Sequence, residues 1–271
     1  MNGRSPAESR RIGLPTERSV PTVPGSRSIR SRSTMSSEPA GPTWGSIAFV
    51  LDGSTVDAGL IGGKGAALDE LLSWGLPVPP SGSVTTAAHR MVMADPRVRA
   101  IVTSIREGTD TPAEAVDEAF LSVELDEAVA ASVVSVAAAV GGGAKIAVRS
   151  SATVEDLAGS SFAGQYQTFL DVDPSDGDAV LDAVRLVLAS LWHPAPCAYR
   201  RALGVDDEDA AMSVLFVQMV PAVTAGVVFT VDPLGGRGAA RVEAVEGLGE
   251  SLVSGRRTPR AWTVDRDAPG D

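Results

Sequence analysis

The chain has 271 residues, 44% of them hydrophobic, enough for a sizeable core in one large domain or two small ones. Aromatic residues make up 4%, so that core must be built mainly of Ala, Val and Leu. A net charge of −11 argues against a nucleic-acid partner, no run of 18 apolar residues offers a membrane span, and a single cysteine, Cys197, excludes an internal disulfide and fits a reducing cytoplasm.

Residues 1–44 hold nine Ser and six Pro, and seven Arg against three Glu give them +4, which leaves −15 on residues 45–271. Without apolar periodicity this tail cannot offset its ordering entropy, so it reads as disordered. It lacks an apolar h-region and is no secretory signal; Met1 and Met35 both remain open as the start. A short strand is expected over 44–51. Gly62-Gly63-Lys64-Gly65 then breaks the chain, and residues 66–74 form a helix with Leu68, Leu71 and Leu72 on one face. Gly75 ends that helix, and Pro77, Pro79 and Pro80 forbid its continuation.

Further helices are expected over 87–94, 98–107 and 113–140, the last stopped by Gly141-Gly142-Gly143. A strand over 145–149, a polar loop and a strand over 166–172 follow. An amphipathic helix spans 178–191, and the apolar run 212–220 reads as a buried strand. Strands over 224–231, 239–244 and 261–265 complete the pattern, with turns at Asp232-Pro233 and Gly247-Leu248-Gly249-Glu250. The class is α/β (α+β), with strands in two groups, 45–172 and 212–271.

Lysine is nearly absent: Lys64 and Lys145 stand against 21 arginines. Lys64 sits in a glycine turn that opens a helix, where converging amides and the helix dipole suit an anion. A solvated lysine in an ordinary strand-to-helix turn is the plainer alternative, and the turn is not a Walker loop, because GxxxxGK[ST] does not occur there. Arg149 ends the strand 145–149, and a guanidinium there needs an anion. Glu155 or Asp156 would serve, and so would a ligand phosphate. Residues 159–164 make a glycine-serine flap, and Thr168 follows on the next strand.

The stretches GGKGAALDELLSWGLPVPPSG, IAVRSSATVEDLAGSSFAGQYQTFLDV, VLFVQMVPAVTAGVVFTVDPLGG and VEAVEGLGESLVSGRRTP resemble, in order, four blocks of one nucleotide-binding domain. It is the domain shared by phosphoenolpyruvate synthase, pyruvate phosphate dikinase and rifampicin phosphotransferase, and the resemblance covers about residues 44–265. It implies an ATP-grasp fold with ATP in a cleft between two lobes: a first lobe over 45–205 and a partial second lobe over 206–271, after the tail 1–44. It assigns Lys64 and Arg149 to the ATP phosphates, Arg149 being the catalytic cation. Gly164 belongs to the flap over the phosphates, Thr168 lies close to the nucleotide, and Gln218 lies near the adenine. Glu155 and Asp156 match the family's acidic pair and are expected to hold Arg149. Thr230, Asp232 and Glu250 match further motifs that shape the cleft wall.

The full enzymes also carry a Mg²⁺-handling acidic residue before a Gln-x-Arg-Pro strand, a Thr-Ser-His domain whose histidine receives the phosphoryl group, and a substrate domain. The Gln-x-Arg-Pro and Thr-Ser-His motifs do not occur in this sequence. Mg²⁺ is therefore expected from the family while its ligands are missing, and the second lobe is expected to expose a sheet edge and apolar surface. The two histidines, His89 and His193, and Cys197 read as structural. The resemblance implies a kinase-type phosphotransferase module, incomplete alone and cytoplasmic, whose partners are ATP and a separate chain carrying the phosphohistidine and substrate domains. A nucleotide-binding module without turnover and an inactive remnant are the alternatives.

Overall fold

Strands covered on both faces show near-continuous burial rather than alternation. Strands β3, Ile146–Ala152, and β5, Met212–Gln218, do so over most of their length. The computed structural model describes residues 47–154, 164–233 and 238–266. In chain order the remaining elements are β1 (Ala48–Val50), α1 (Ala58–Ser73), β2 (Ser81–Val84), α2 (Thr86–Met93), α3 (Pro96–Arg106), α4 (Ala113–Leu121) and α5 (Glu127–Gly141). After β3 come β4 (Thr168–Val172), α6 (Gly177–Ala189), a short 3₁₀ turn and α7 (Pro194–Leu203). After β5 come β6 (Thr224–Phe229), β7 (Ala239–Glu246), α8 (Glu250–Val253) and β8 (Arg260–Asp265).

The first sheet has the order β1-β2-β5-β3-β4 and is antiparallel throughout. One face carries Val84, Val214, Phe216, Ile146 and Val148 into the main core, which α2 through α7 supply with Val98, Val102, Val116, Phe120, Val133, Val184 and Leu188. The other face is covered by α1, whose Leu60 and Ile61 form a smaller cluster with Leu51, Phe49, Leu68 and Leu72. Side-chain oxygens cap the helices where the sequence supplies them: Asp57, Thr85, Asp95, Asp126 and Asp176 accept from first-turn amides of α1, α2, α3, α5 and α6.

The second sheet, β6-β7-β8, is also antiparallel. Val228, Phe229 and Trp262 on it are 61%, 41% and 43% exposed, the apolar surface expected there. No helix among the described residues is long and apolar enough to cross a membrane.

Several expectations are corrected. Strand β2 was missed: Ser-Gly-Ser-Val after prolines carries little strand propensity, and it is held by pairing on both sides. The single helix expected over 113–140 is two, because Asp126 caps a fresh start and Ser122 turns back on Ala119 O. Helix α7 was not anticipated, and α1 begins before the glycines rather than after them. Strand β3 runs on to Ala152, so Arg149 lies at its centre, not its end. Strand β5 pairs with β2 and β3 in the first sheet, so it does not belong to the second strand group. The chain passes from the first sheet to the second after Gln218.

Candidate functional site

The Gly62-Gly63-Lys64-Gly65 stretch lies inside α1 and interrupts it. Gly62 has φ 71° and ψ 170°, a backbone conformation open essentially to glycine alone. A Cβ at Gly62 would also lie 2.1 Å from the carbonyl oxygen of Ser151 on β3. In an unbroken helix the Gly65 amide would donate to Ile61 O. Here it donates to Ser151 Oγ at 3.0 Å, and Ser151 Oγ in turn donates to Ile61 O at 2.7 Å. Ser213 Oγ on β5 donates to the same carbonyl at 2.5 Å. A serine hydroxyl has thus entered the helix ladder, one of the recognised causes of a sharp kink. The residues after Gly62 form a renewed helix start against the sheet, with Lys64 in its first turn, and Lys64 Nζ donates to Ser150 O at 3.4 Å.

Arg149 is the one exposed residue of β3; the other six are buried. Leu215, its neighbour on β5, is buried beneath α1, so the helix cover ends between the two strands. Arg149 makes no hydrogen bond or ion pair with any described residue. Its neighbour on β4 is Thr168, which is exposed, and directly opposed residues of an antiparallel pair share a face. Lys64, Arg149 and Thr168 therefore border one face of the first sheet. Gly164, at φ 73°, precedes β4; it is exposed, and a Cβ there would meet nothing within 4 Å.

Gln218 is not on that face. It pairs with Ile146, on the core-facing side of the sheet, and its Nε2 donates to Gly141 O at the end of α5 at 2.8 Å. The expected partners Glu155 and Asp156, and flap residues 159–163, lie outside the described residues. Of the wall residues, Thr230 and Glu250 are exposed and Asp232 is buried, with its amide donating to Ala239 O.

The remaining titratable residues have structural surroundings. His89 is buried on α2, and burial, then Arg90 and Arg200, lower its pKa to about 4. His193 Nε2 and Asp117 Oδ1 are 2.8 Å apart, tying α7 to α4. Burial pushes the Cys197 thiol up from its usual value. Lys145 pairs with Asp173 at 2.7 Å, and that hydrogen bond, then those from Ser175, hold the Asp173 carboxyl well below the usual carboxylate range. Two grooves of about 410 and 390 Å³ lie elsewhere, the first at Lys145 and Asp173, the second at Arg257, Arg260 and Trp262 on the second sheet. Among the described residues no three His, Cys, Asp or Glu side chains are grouped to hold a metal ion.

Sequence reasoning missed Ser151 and Ser213. The first stands in the VRSSA stretch and the second inside the apolar run 212–220, but nothing local marks either as a partner of Ile61.

The chain matches the family model "Pyruvate phosphate dikinase, AMP/ATP-binding domain" over residues 58–270. It is 35% identical over 233 residues to a probable phosphoenolpyruvate synthase of Methanothermobacter thermautotrophicus, covering 81% of this chain and 34% of that protein. It is 33% identical to a phosphoenolpyruvate synthase of Aeropyrum pernix, covering 76% of this chain and 27% of the other. It is 39% identical to a rifampicin phosphotransferase of a Streptomyces species, covering 80% and 26%. The chain thus spans about a third or less of the length of these relatives.

Proposed function

This chain belongs to the family of pyruvate phosphate dikinase AMP/ATP-binding domains, and from that premise we propose that its Lys64 and Arg149 hold the phosphate chain of ATP for transfer to a histidine on another domain or chain. The chain is an ATP-binding module of a phosphotransferase family. The observation that carries the proposed role is Arg149, the single exposed residue of a buried strand, with no anion beside it among the described residues. An exposed guanidinium at the centre of that strand can meet a phosphate, which accepts its fork in two hydrogen bonds.

Bound ATP supplies the phosphoryl group to be transferred. The residues of this chain position it and neutralise its charge, which is most of what such a site must provide. Arg149 offers the planar fork. Lys64 adds a compact charge at the renewed helix start, where the dipole favours the same sign of ligand. Thr168 offers a hydroxyl across the strand pair, and the open backbone at Gly164 allows close approach. Gln218 lies on the other side of the sheet, held by Gly141 O, and takes no part in holding the phosphates. On this reading the cleft of an ATP-grasp-like fold lies between a lobe over 45–205 and a partial lobe over 206–271. No step is assigned to Mg²⁺, because the described residues group no ligand set for it.

An acceptor histidine elsewhere is supported by the surroundings of the two present, His89 in the core and His193 paired with Asp117. The relatives' greater length leaves room for the acceptor and substrate domains.

Calorimetric titration with ATP tests the reading. Lys64→Ala and Arg149→Ala should each weaken binding roughly ten- to a hundred-fold, the loss of one charge-assisted phosphate contact. Unchanged affinity in both folded variants would refute it.

A further inference from the structure

We infer that Ser151 and Ser213 are positioning residues for the phosphate end of this site, acting through Lys64. This rests on the ATP reading above. The two serines are cross-strand partners at the heart of the first sheet, both fully buried at 0% exposure. Their hydroxyls converge on one atom, Ile61 O, at 2.7 and 2.5 Å. Ser151 also takes the Gly65 amide, so it stands in the helix bond that Gly65 and Ile61 would otherwise make directly.

A fold that needed only a helix over this sheet would not use such an arrangement. A continuous helix satisfies Ile61 O and the Gly65 amide by itself, with no glycine-only backbone and no hydroxyls in an apolar layer. The break instead demands glycine at 62 and two buried serines from strands far apart in sequence. Locally disfavoured choices that agree with one another concentrate at functional sites. Lys64 sits two residues past Gly62, and its ammonium reaches the carbonyl of Ser150, between Arg149 and Ser151. The hydroxyl pair therefore fixes where α1 restarts and brings its first-turn cation to the strand that carries Arg149.

The hydroxyls touch no nucleotide, so their effect must pass through Lys64, and that is what the experiment reads. ATP and adenosine binding are measured for Ser151→Ala and Ser213→Ala, each alone and in the Lys64→Ala background. Ser151→Ala lets the Gly65 amide bond directly to Ile61 O. It should weaken ATP binding at least five-fold, leave adenosine binding within two-fold, and have no further effect once Lys64 is gone. Ser213→Ala keeps the inserted hydroxyl and gives a smaller loss of the same pattern, two- to three-fold, which keeps the test decisive if Ser151→Ala does not fold. The amide resonance of Gly65 should shift in Ser151→Ala.

An unchanged ratio of ATP to adenosine affinity in the serine variants would overturn the inference. So would an equal loss in the Lys64→Ala background, since that is what a purely structural role produces. If Lys64→Ala itself leaves ATP binding intact, the underlying ATP reading fails instead, and the two failures are told apart.

Discussion

Replacing Gly62 by alanine tests the break in α1 most sharply, because a second glycine supplies the control. Gly204 ends α7 in the left-handed region at φ 68° and ψ 23°, and a Cβ there would meet nothing within 4 Å. Gly204→Ala should cost about 1 kcal/mol, the left-handed strain less the entropy removed from the unfolded chain. Gly62 has a similar φ but lies at ψ 170°, where side chains are essentially excluded. Its added Cβ would stand 2.1 Å from Ser151 O and 2.3 Å from Ser151 Oγ, in a central strand paired on both sides. Relief requires α1 to lift, which severs the hydroxyl bonds to Ile61 O and Gly65. At about 1 kcal/mol for each bond, with the conformational strain added, Gly62→Ala should cost about 4 kcal/mol. For a domain of this size that is a fall of roughly 8–16 °C in melting temperature. Urea unfolding followed by tryptophan fluorescence measures both variants. A Gly62→Ala cost no larger than that of Gly204→Ala would show that the glycine break is not locked to the sheet.

His89 gives a stability that depends on pH. Its folded pKa of about 4 lies below the ordinary value of 6.5, so the unfolded chain takes up the proton first and stability falls as pH drops through that window. Between pH 7 and pH 5 the wild type should lose about 2 kcal/mol more than His89→Leu, and equal losses would contradict the burial argument. Arg200 is fully buried, donates to Asp207 at 2.8 Å and to Leu191 O at 2.6 Å, and stacks with Arg106 about the Trp192 ring. Asp207→Ala leaves that charge without its partner and should destabilise by about 3 kcal/mol; a loss under about 1 kcal/mol in urea unfolding would count against it.

What the sequence disclosed and what it hid divide by distance along the chain. Three glycines, a lysine and an apolar helix face are local, and they announce a chain break beside a cation. The reason the break holds is not local: Ser151 and Ser213 lie 90 and 152 positions from Ile61. The apolar run of β5 declared a buried strand, but membership of a sheet is set by partners, and those are β2 and β3 rather than β6. Arg149 was legible as a cation in need of an anion, yet its place was misjudged. A strand buried on both faces admits a charge at its centre only where the covering layer stops, and the edge of α1 cannot be read from β3. Gln218 was legible as a residue type and a strand end, while its side of the sheet followed only from the register with Ile146.

The net charge makes the position of the cations decisive. Residues 45–271 carry −15, so at long range the folded part repels a nucleotide. Salt limits that repulsion to roughly 8 Å at physiological ionic strength. Inside that distance the charges that count are those at the sheet face, where α1 restarts with Lys64 and its cover ends beside Arg149. An acidic protein can therefore attract a polyanion only at a site where cations are gathered at close range. With only two lysines in the chain, and the other paired with Asp173, the placement of Lys64 has no substitute among the lysines. If Lys64 holds phosphate as proposed, the helix break held from the sheet behind it belongs to the site.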